Sequence, residues 1–213
     1  MRTDQLVTLL AADAPPVRRR AVSRRLLVAL AIALPISAAW MLLAYGVRRD
    51  LIEAMFWPMF WVRLLFGAGI ALAAFVVVQR LARPGVPVRG AWLGLAAPVL
   101  LIWLLAGAAL LSAPQEERAA LVWGHTWRSC AIDIAVVSLP MFAALLWALK
   151  GLAPTRPALA GAAAGALAGG AGAMVYALHC PELAAPYIAV WYLAGIALPV
   201  VAGALVGPRL LRW

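Results

Sequence analysis

The apolar positions divide the chain into a short, polar-edged opening and six long hydrophobic segments: Leu26 to Val47, Met59 to Gln79, Ala91 to Ser112, Cys130 to Leu149, Ala158 to Leu178 and Tyr187 to Val206. Each holds roughly 20 residues, and at about 1.5 Å per helical residue each crosses the roughly 30 Å hydrocarbon core of a bilayer. The pattern predicts an all-α, polytopic membrane protein with six transmembrane helices. Pro35, Pro98, Pro140 and Pro199 interrupt the middles of four of these segments. Each removes a backbone hydrogen bond that a neighbouring helix or a Ser or Thr side chain must replace, so bends are expected there. Gly161, Gly165 and Gly169 recur four apart in the fifth segment. That spacing flattens one helix face, lets another backbone approach closely, and predicts a central place in the bundle.

The opening reads differently. Thr3 is placed as an N-cap with Asp4 in the first turn; Leu6, Val7, Leu10 and Ala14 follow at helical spacing, and Pro15-Pro16 ends the pattern. Arg18-Arg19-Arg20 and Arg24-Arg25 then form a basic clamp. The expected division is an amphipathic arm with its clamp over residues 1–25 and a six-helix transmembrane domain over residues 26–213. The arm suits either lipid headgroups or a cytoplasmic partner protein. Ser23-Arg24-Arg25-Leu26-Leu27 faintly resembles a twin-arginine export signal. The apolar run behind it is too long for a signal peptide and further spans follow, so it reads as an uncleaved first span.

Composition narrows the class. Hydrophobic residues make up 66% of the 213 and charged ones 12%, a balance that excludes a water-soluble globule. The net charge of +10 would suggest nucleic acid in a soluble protein. Here the arginines flank apolar runs and set orientation, so no direct nucleic-acid contact is expected. Most basic residues fall in the opening, in the loop with Arg80, Arg83 and Arg89, in the loop with Lys150 and Arg156, and in the tail with Arg209 and Arg212. In the alternate loops Arg48 and Arg49 are balanced by Asp50 and Glu53, and Arg118 and Arg128 by Glu116 and Glu117. This asymmetry predicts that both termini are cytoplasmic. Trp57, Trp61, Trp123 and Trp127 then mark an aromatic belt at the outer interface.

The outer face collects the candidate chemistry. Cys130 opens the fourth span and Cys180, within His179-Cys180-Pro181-Glu182, follows the fifth; they are the 2 cysteines of the chain. Two thiols at one level can pair as a disulfide in an oxidising space if their Cα atoms come within about 7 Å. They can instead hold a soft metal ion together with His179, and with His125 or Glu182. They can also be two buried apolar side chains that share a level by accident. No resident cofactor is expected, only a transient soft metal. Arg63 and Asp133 lie just inside the outer ends of their spans, either paired with each other beneath the thiols or each reaching for water. Phosphate-binding glycine loops, a nucleophile elbow and a Cys-x-x-Cys pair are all absent, so the chain does not read as an enzyme. A small transporter or channel with a polar outer entrance is the alternative, against which the lack of midplane acids counts.

The opening Thr3-Asp4-Gln5-Leu6 to Leu10-Ala11-Ala12-Asp13-Ala14-Pro15, the six spans, Arg128-Ser129-Cys130 and His179-Cys180-Pro181-Glu182 together resemble a bacterial family, the negative regulators of sigma F. The resemblance covers nearly the whole chain. It implies a multi-pass inner-membrane anti-sigma factor that holds an extracytoplasmic-function sigma factor until envelope stress is sensed. Cys130 and Cys180 would be the sensing thiols, supported by Arg128, Asp133, His179, Pro181 and Glu182. The arm would offer Thr3, Leu6, Val7, Leu10 and Asp13 to the sigma factor. The chain lacks the His-x-x-x-Cys-x-x-Cys zinc motif of soluble anti-sigma domains, so its contact must be built differently.

Overall fold

The computed structural model describes residues 3–12, 20–88, 90–152 and 154–212. The order is α1 (Thr3–Ala12), α2 (Ala21–Ala44), α3 (Leu51–Ala54), α4 (Pro58–Leu81), α5 (Ala91–Ser112), α6 (Gln115–Trp123), α7 (Trp127–Lys150), α8 (Pro157–Tyr176), α9 (Ala185–Tyr187), a π-helical turn (Ile188–Tyr192) and α10 (Leu193–Leu210). Among the described residues, 6 helical stretches are long and apolar enough to cross a membrane, as the hydrophobic pattern predicts. The short α3, α6 and α9 were not expected from that pattern. They are amphipathic or brief turns at one end of the bundle, too short to leave a periodic signal.

Local chemistry fixes the ends. Pro58 and Pro157 occupy the first helical position of α4 and α8, where the missing N–H costs nothing. Gly124 closes α6 with φ of 51°, a conformation that side-chain-bearing residues rarely adopt. Pro35, Pro98, Pro140 and Pro199 all lie inside helices, and Pro208 does too. Two residues before Pro140, the Ser138 hydroxyl donates to the Ile134 carbonyl at 2.7 Å, the back-bonding expected of a buried hydroxyl in a span.

α8 is the axis of the bundle, with 78% of its span buried inside the protein. It is pressed against α10, α4 and α7. The expected glycine face meets α10 backbone to backbone: a Cβ at Gly161 would strike the Gly203 carbonyl, and one at Gly165 the Pro199 carbonyl. Gly170 and Gly172 do the same for α4 and α7, opposite the Gly67 carbonyl and the Ser138 side chain. A helix so poor in side chains gains its adhesion from close backbone contact, since lipid removes the hydrophobic incentive to associate.

Two apolar clusters stack along this axis. One lies at the end carrying Lys150 and Arg209 and includes Leu26, Leu81, Leu149 and Leu211. The other surrounds the cysteines and includes Met41, Phe66, Ile134, Tyr176 and Ile188. They mark the arginine end and the cysteine end of the bundle.

Candidate functional site

Cys130 lies in the first turn of α7, its N–H bonded to the Thr126 carbonyl at 3.1 Å. Cys180 follows the three-residue turn that ends α8, its N–H bonded to the Tyr176 carbonyl at 3.1 Å. Both side chains are fully buried, and they stand within hydrogen-bonding reach of each other as free thiols. The expectation that separate loops bring the two cysteines to one level is met, and they also meet laterally.

The loop carrying Cys180 is held by two arginines from other elements. Arg63 of α4 is 1% exposed, yet it donates to the carbonyls of Ala177 at 2.7 Å, Cys180 at 2.9 Å and Glu182 at 2.7 Å. Those carbonyls lie at and beyond the C-terminus of α8, where the helix dipole favours a cation. Phe60 and Tyr192 place their rings against the guanidinium, with centroids 5.5 and 5.8 Å from it. Arg48 adds a fourth grip, donating to the Cys180 carbonyl at 3.1 Å while its own backbone N–H donates to Leu178. Its orientation is fixed by Asp50, which accepts from it at 2.8 and 2.7 Å. That bonding holds the Asp50 carboxyl down at about 2.

The adjacent Cys130 thiol is the main influence drawing the Cys180 thiol below the ordinary thiol range. Burial opposes it, and the Arg63 charge, the Glu182 N–H and Tyr192 assist. Among the described residues, the buried Tyr192 hydroxyl has no hydrogen-bond partner.

Other candidates have more specific places than their positions in sequence suggested. Glu182 points to the α6–α7 turn, where its carboxylate accepts the His125 N–H at 2.7 Å; Gly124 leaves room, since a Cβ there would strike both Glu182 and Tyr187. Tyr187 shares a hydrogen bond with Thr126 at 2.8 Å, so α9 is tied to the residue that starts the Cys130 turn. His179 turns away from the thiols, its Nδ1 at 3.0 Å from the Gly46 carbonyl and its ring among Tyr45 and Tyr176. Pro181 is exposed. Arg128 is exposed as well and lies over the Trp127 ring at 5.3 Å, outside the thiol site. Among the described residues, no three His, Cys, Asp or Glu side chains converge as a metal centre.

Of the two readings open for Arg63 and Asp133, the ion pair does not form among the described residues, and Arg63 is spent on buried backbone carbonyls and does not reach for water. Asp133 accepts instead from the Tyr176 hydroxyl at 3.1 Å. Sequence reading passed over the grips of Arg63 and Arg48 on the Cys180 loop. It also passed over Trp191, which donates to the Val122 carbonyl at 3.0 Å and packs against Trp123 and Trp127. The one signal for Arg63 was its presence inside an apolar span with no acidic residue a turn away.

Of the arm, Leu6 and Val7 are exposed on α1 at 43% and 59%. Thr3 lies within α1 and not before it as a cap, and the Thr8 hydroxyl bonds back to the Asp4 carbonyl at 2.8 Å. Asp13, and the side chain of Leu10, lie outside the described residues.

The arrangement supports thiol chemistry between two helices: proton sharing, a soft ion held between two sulfurs, or a disulfide on two-electron oxidation. A family model described as negative regulator of sigma F matches residues 10–213. The chain is 44% identical to the probable anti-sigma-F factor NrsF of Azospira oryzae, with 100% of both chains covered. It is 41% identical to the anti-sigma-F factor NrsF of Caulobacter vibrioides, again over 100% of both. No solved structure matches.

Proposed function

The chain belongs to the family of negative regulators of sigma F, which are regulators and not enzymes, and from that premise we propose that it is a membrane-bound anti-sigma factor switched by its thiol pair. The partner is an extracytoplasmic-function sigma factor, held at the bacterial inner membrane through the N-terminal arm. The arginine end and both termini face the cytoplasm, and the cysteine end faces the periplasm. The distribution of basic residues supports that orientation.

The observation that carries the sensing role is the meeting of Cys130 and Cys180, buried side chains from separate elements within reach of each other. An oxidant joins them, or a soft metal ion bridges them, and either event resets how the start of α7 meets the end of α8. α8 is locked backbone to backbone on α10 and packs against α7, and α7 packs against α2, which follows the arm. A shift at the cysteine end therefore has a continuous path of tight contacts to the arginine end.

The test is transcription of the sigma factor's targets in strains carrying wild type, Cys130→Ser, Cys180→Ser and both substitutions, at matched protein levels, with and without oxidant or soft metal. Each single substitution should abolish the response, and the double variant should lose nothing further. A normal response in the double variant would remove the thiols from the mechanism.

A further inference from the structure

At the arginine end, an apolar groove of about 570 Å³ runs between α2 and α7, walled by Val28, Ala29, Ile32, Ala144 and Trp147 and headed by Arg20, Arg24 and Arg25. A second groove of about 340 Å³ follows α2 past Leu27 and Ala31 and is headed by Arg20 and Arg24 again. Val28 lines both, so the two grooves diverge from one pair of arginines. We infer that this forked site binds one molecule of an anionic diacyl phospholipid, its phosphate on Arg20 and Arg24 and its acyl chains in the two grooves.

The chemistry follows from what each part leaves unmet. Arg25 is already committed, donating to the Gly151 carbonyl at 3.3 Å with its guanidinium 5.8 Å from the centre of the Trp147 ring. It ties α2 to the end of α7 and closes the head of the larger groove. Arg20 and Arg24 are exposed, and among the described residues no carboxylate forms an ion pair with them. Two guanidiniums one helical turn apart match a phosphate monoanion, which each can engage through paired N–H donors. Below them the walls are hydrocarbon, and the small side chains of Ala29 and Ala144 leave the α2–α7 seam open enough to admit a chain. Val28, Ile32 and Trp147 remain 49%, 62% and 72% exposed, so the surface for the chain is uncovered. Topogenic charge alone accounts for arginines at a membrane boundary. It does not account for two apolar grooves that begin at the same two residues. Basic pockets between transmembrane helices are recognised sites for acidic headgroups.

The site touches α2 directly behind the arm and α7 at the end opposite Cys130. An anionic lipid there would brace the contact between these two helices whatever the thiols do, so the assignment is independent of the proposed function.

The experiment is native mass spectrometry of the full chain, delipidated in neutral detergent and titrated with phosphatidylglycerol, with phosphatidylcholine of the same acyl chains, or with inorganic phosphate. Phosphatidylglycerol should bind at least about tenfold more tightly than phosphatidylcholine. Arg20→Gln with Arg24→Gln should abolish that preference, and Val28→Trp, which fills both grooves without changing charge, should weaken phosphatidylglycerol binding by a similar factor. Inorganic phosphate should neither bind at matched concentration nor displace the lipid. Equal retention of the two lipids by the wild type overturns the inference. So does loss on removing the arginines with no effect of Val28→Trp, which would mean general attraction to charge. Phosphate binding equal to the lipid's, or a dimer that occludes the grooves, overturns it as well. Both substituted arginines are exposed, and the comparison of lipids on the wild type stands even if a variant misfolds.

Discussion

The Arg63 guanidinium reaches the carbonyl oxygen of Cys180 at 2.9 Å, and the same side chain holds the carbonyls of Ala177 and Glu182. A buried cation inside a membrane helix is expensive unless its donors are used. Here it serves as the C-terminal cap of α8 and as the anchor of the cysteine loop in one. Arg63→Met should leave the Ala177 and Glu182 carbonyls without a donor and the Cys180 carbonyl with Arg48 alone, and destabilise the bundle by about 3 kcal/mol or more. Arg63→Lys, which cannot span all three, should recover part of that loss. Chemical unfolding in detergent micelles, followed by helicity, measures both. If Arg63→Met unfolds like the wild type, the grip is dispensable.

The contact of α8 with α10 gives a second test. Gly165 faces the Pro199 carbonyl with no space for a side chain, and Gly161 and Gly203 face each other's carbonyls. Gly165→Val should force the two helices apart and lower stability by about 1–3 kcal/mol or more, because the obstruction is backbone and not a movable side chain. Gly107, with open space around it, is the matched control, and Gly107→Val should be nearly silent. Similar stability of the two variants would contradict the close packing.

Much of this architecture was legible in the sequence, and the missing part has a common cause. The spans are visible because bilayer thickness sets the length of an apolar run, and the role of α8 is visible because only glycine permits backbone contact. Cys130 and Cys180 could be set at one level from loop parity alone. The partners of Arg63 could not be read, since backbone carbonyls leave no mark on residue identity. A pairing rule based on opposite charges therefore pointed to Asp133, whose actual partner is Tyr176. The partner of His179 is hidden for the same reason: its neighbours in sequence are the thiol and the acid, but its ring nitrogen lies 3.0 Å from the Gly46 carbonyl.

Cys180 should titrate as an acid thiol. Its neighbour Cys130, assisted by the Arg63 charge, draws it below the ordinary thiol range against the opposing effect of burial. The thiolate therefore persists at pH values where a free thiol is protonated. Thiolate absorbance of the reduced protein should appear below the ordinary thiol range, and Cys130→Ala should move the step upward by removing the main influence. An unmoved step in Cys130→Ala would mean that the two thiols are not hydrogen-bonded.

Orientation is open to a direct test in cells. A reporter inserted near Pro154, in the loop between α7 and α8, should be active only if it is a cytoplasmic type. A membrane-impermeant thiol reagent should reach Cys130 or Cys180 from outside when the loop opens, and neither from the cytoplasmic face. Activity of a periplasmic reporter at Pro154 would invert the bundle and, with it, the side from which the thiols are addressed.

The arm makes the most demanding prediction, because so little of the chain is offered to the partner. Leu6 and Val7 are exposed on α1, and Leu10 lies one helical turn beyond Leu6. A short helix with apolar side chains such as Leu6 and Val7 uncovered gains by docking into a groove of a partner protein. Burying one leucine side chain contributes about 1.5–3 kcal/mol, so Leu6→Ala combined with Leu10→Ala should weaken capture of the sigma factor by about tenfold or more. The thiols lie at the other end of the bundle, so the double variant should keep its wild-type Cys180 titration while losing the partner. Co-purification from detergent with quantitative mass spectrometry reads the first quantity and thiolate absorbance the second. If the sigma factor is retained at full yield after residues 1–16 are removed, the contact lies in the loops of the arginine end, and Arg83 and Arg156 become the residues to substitute next.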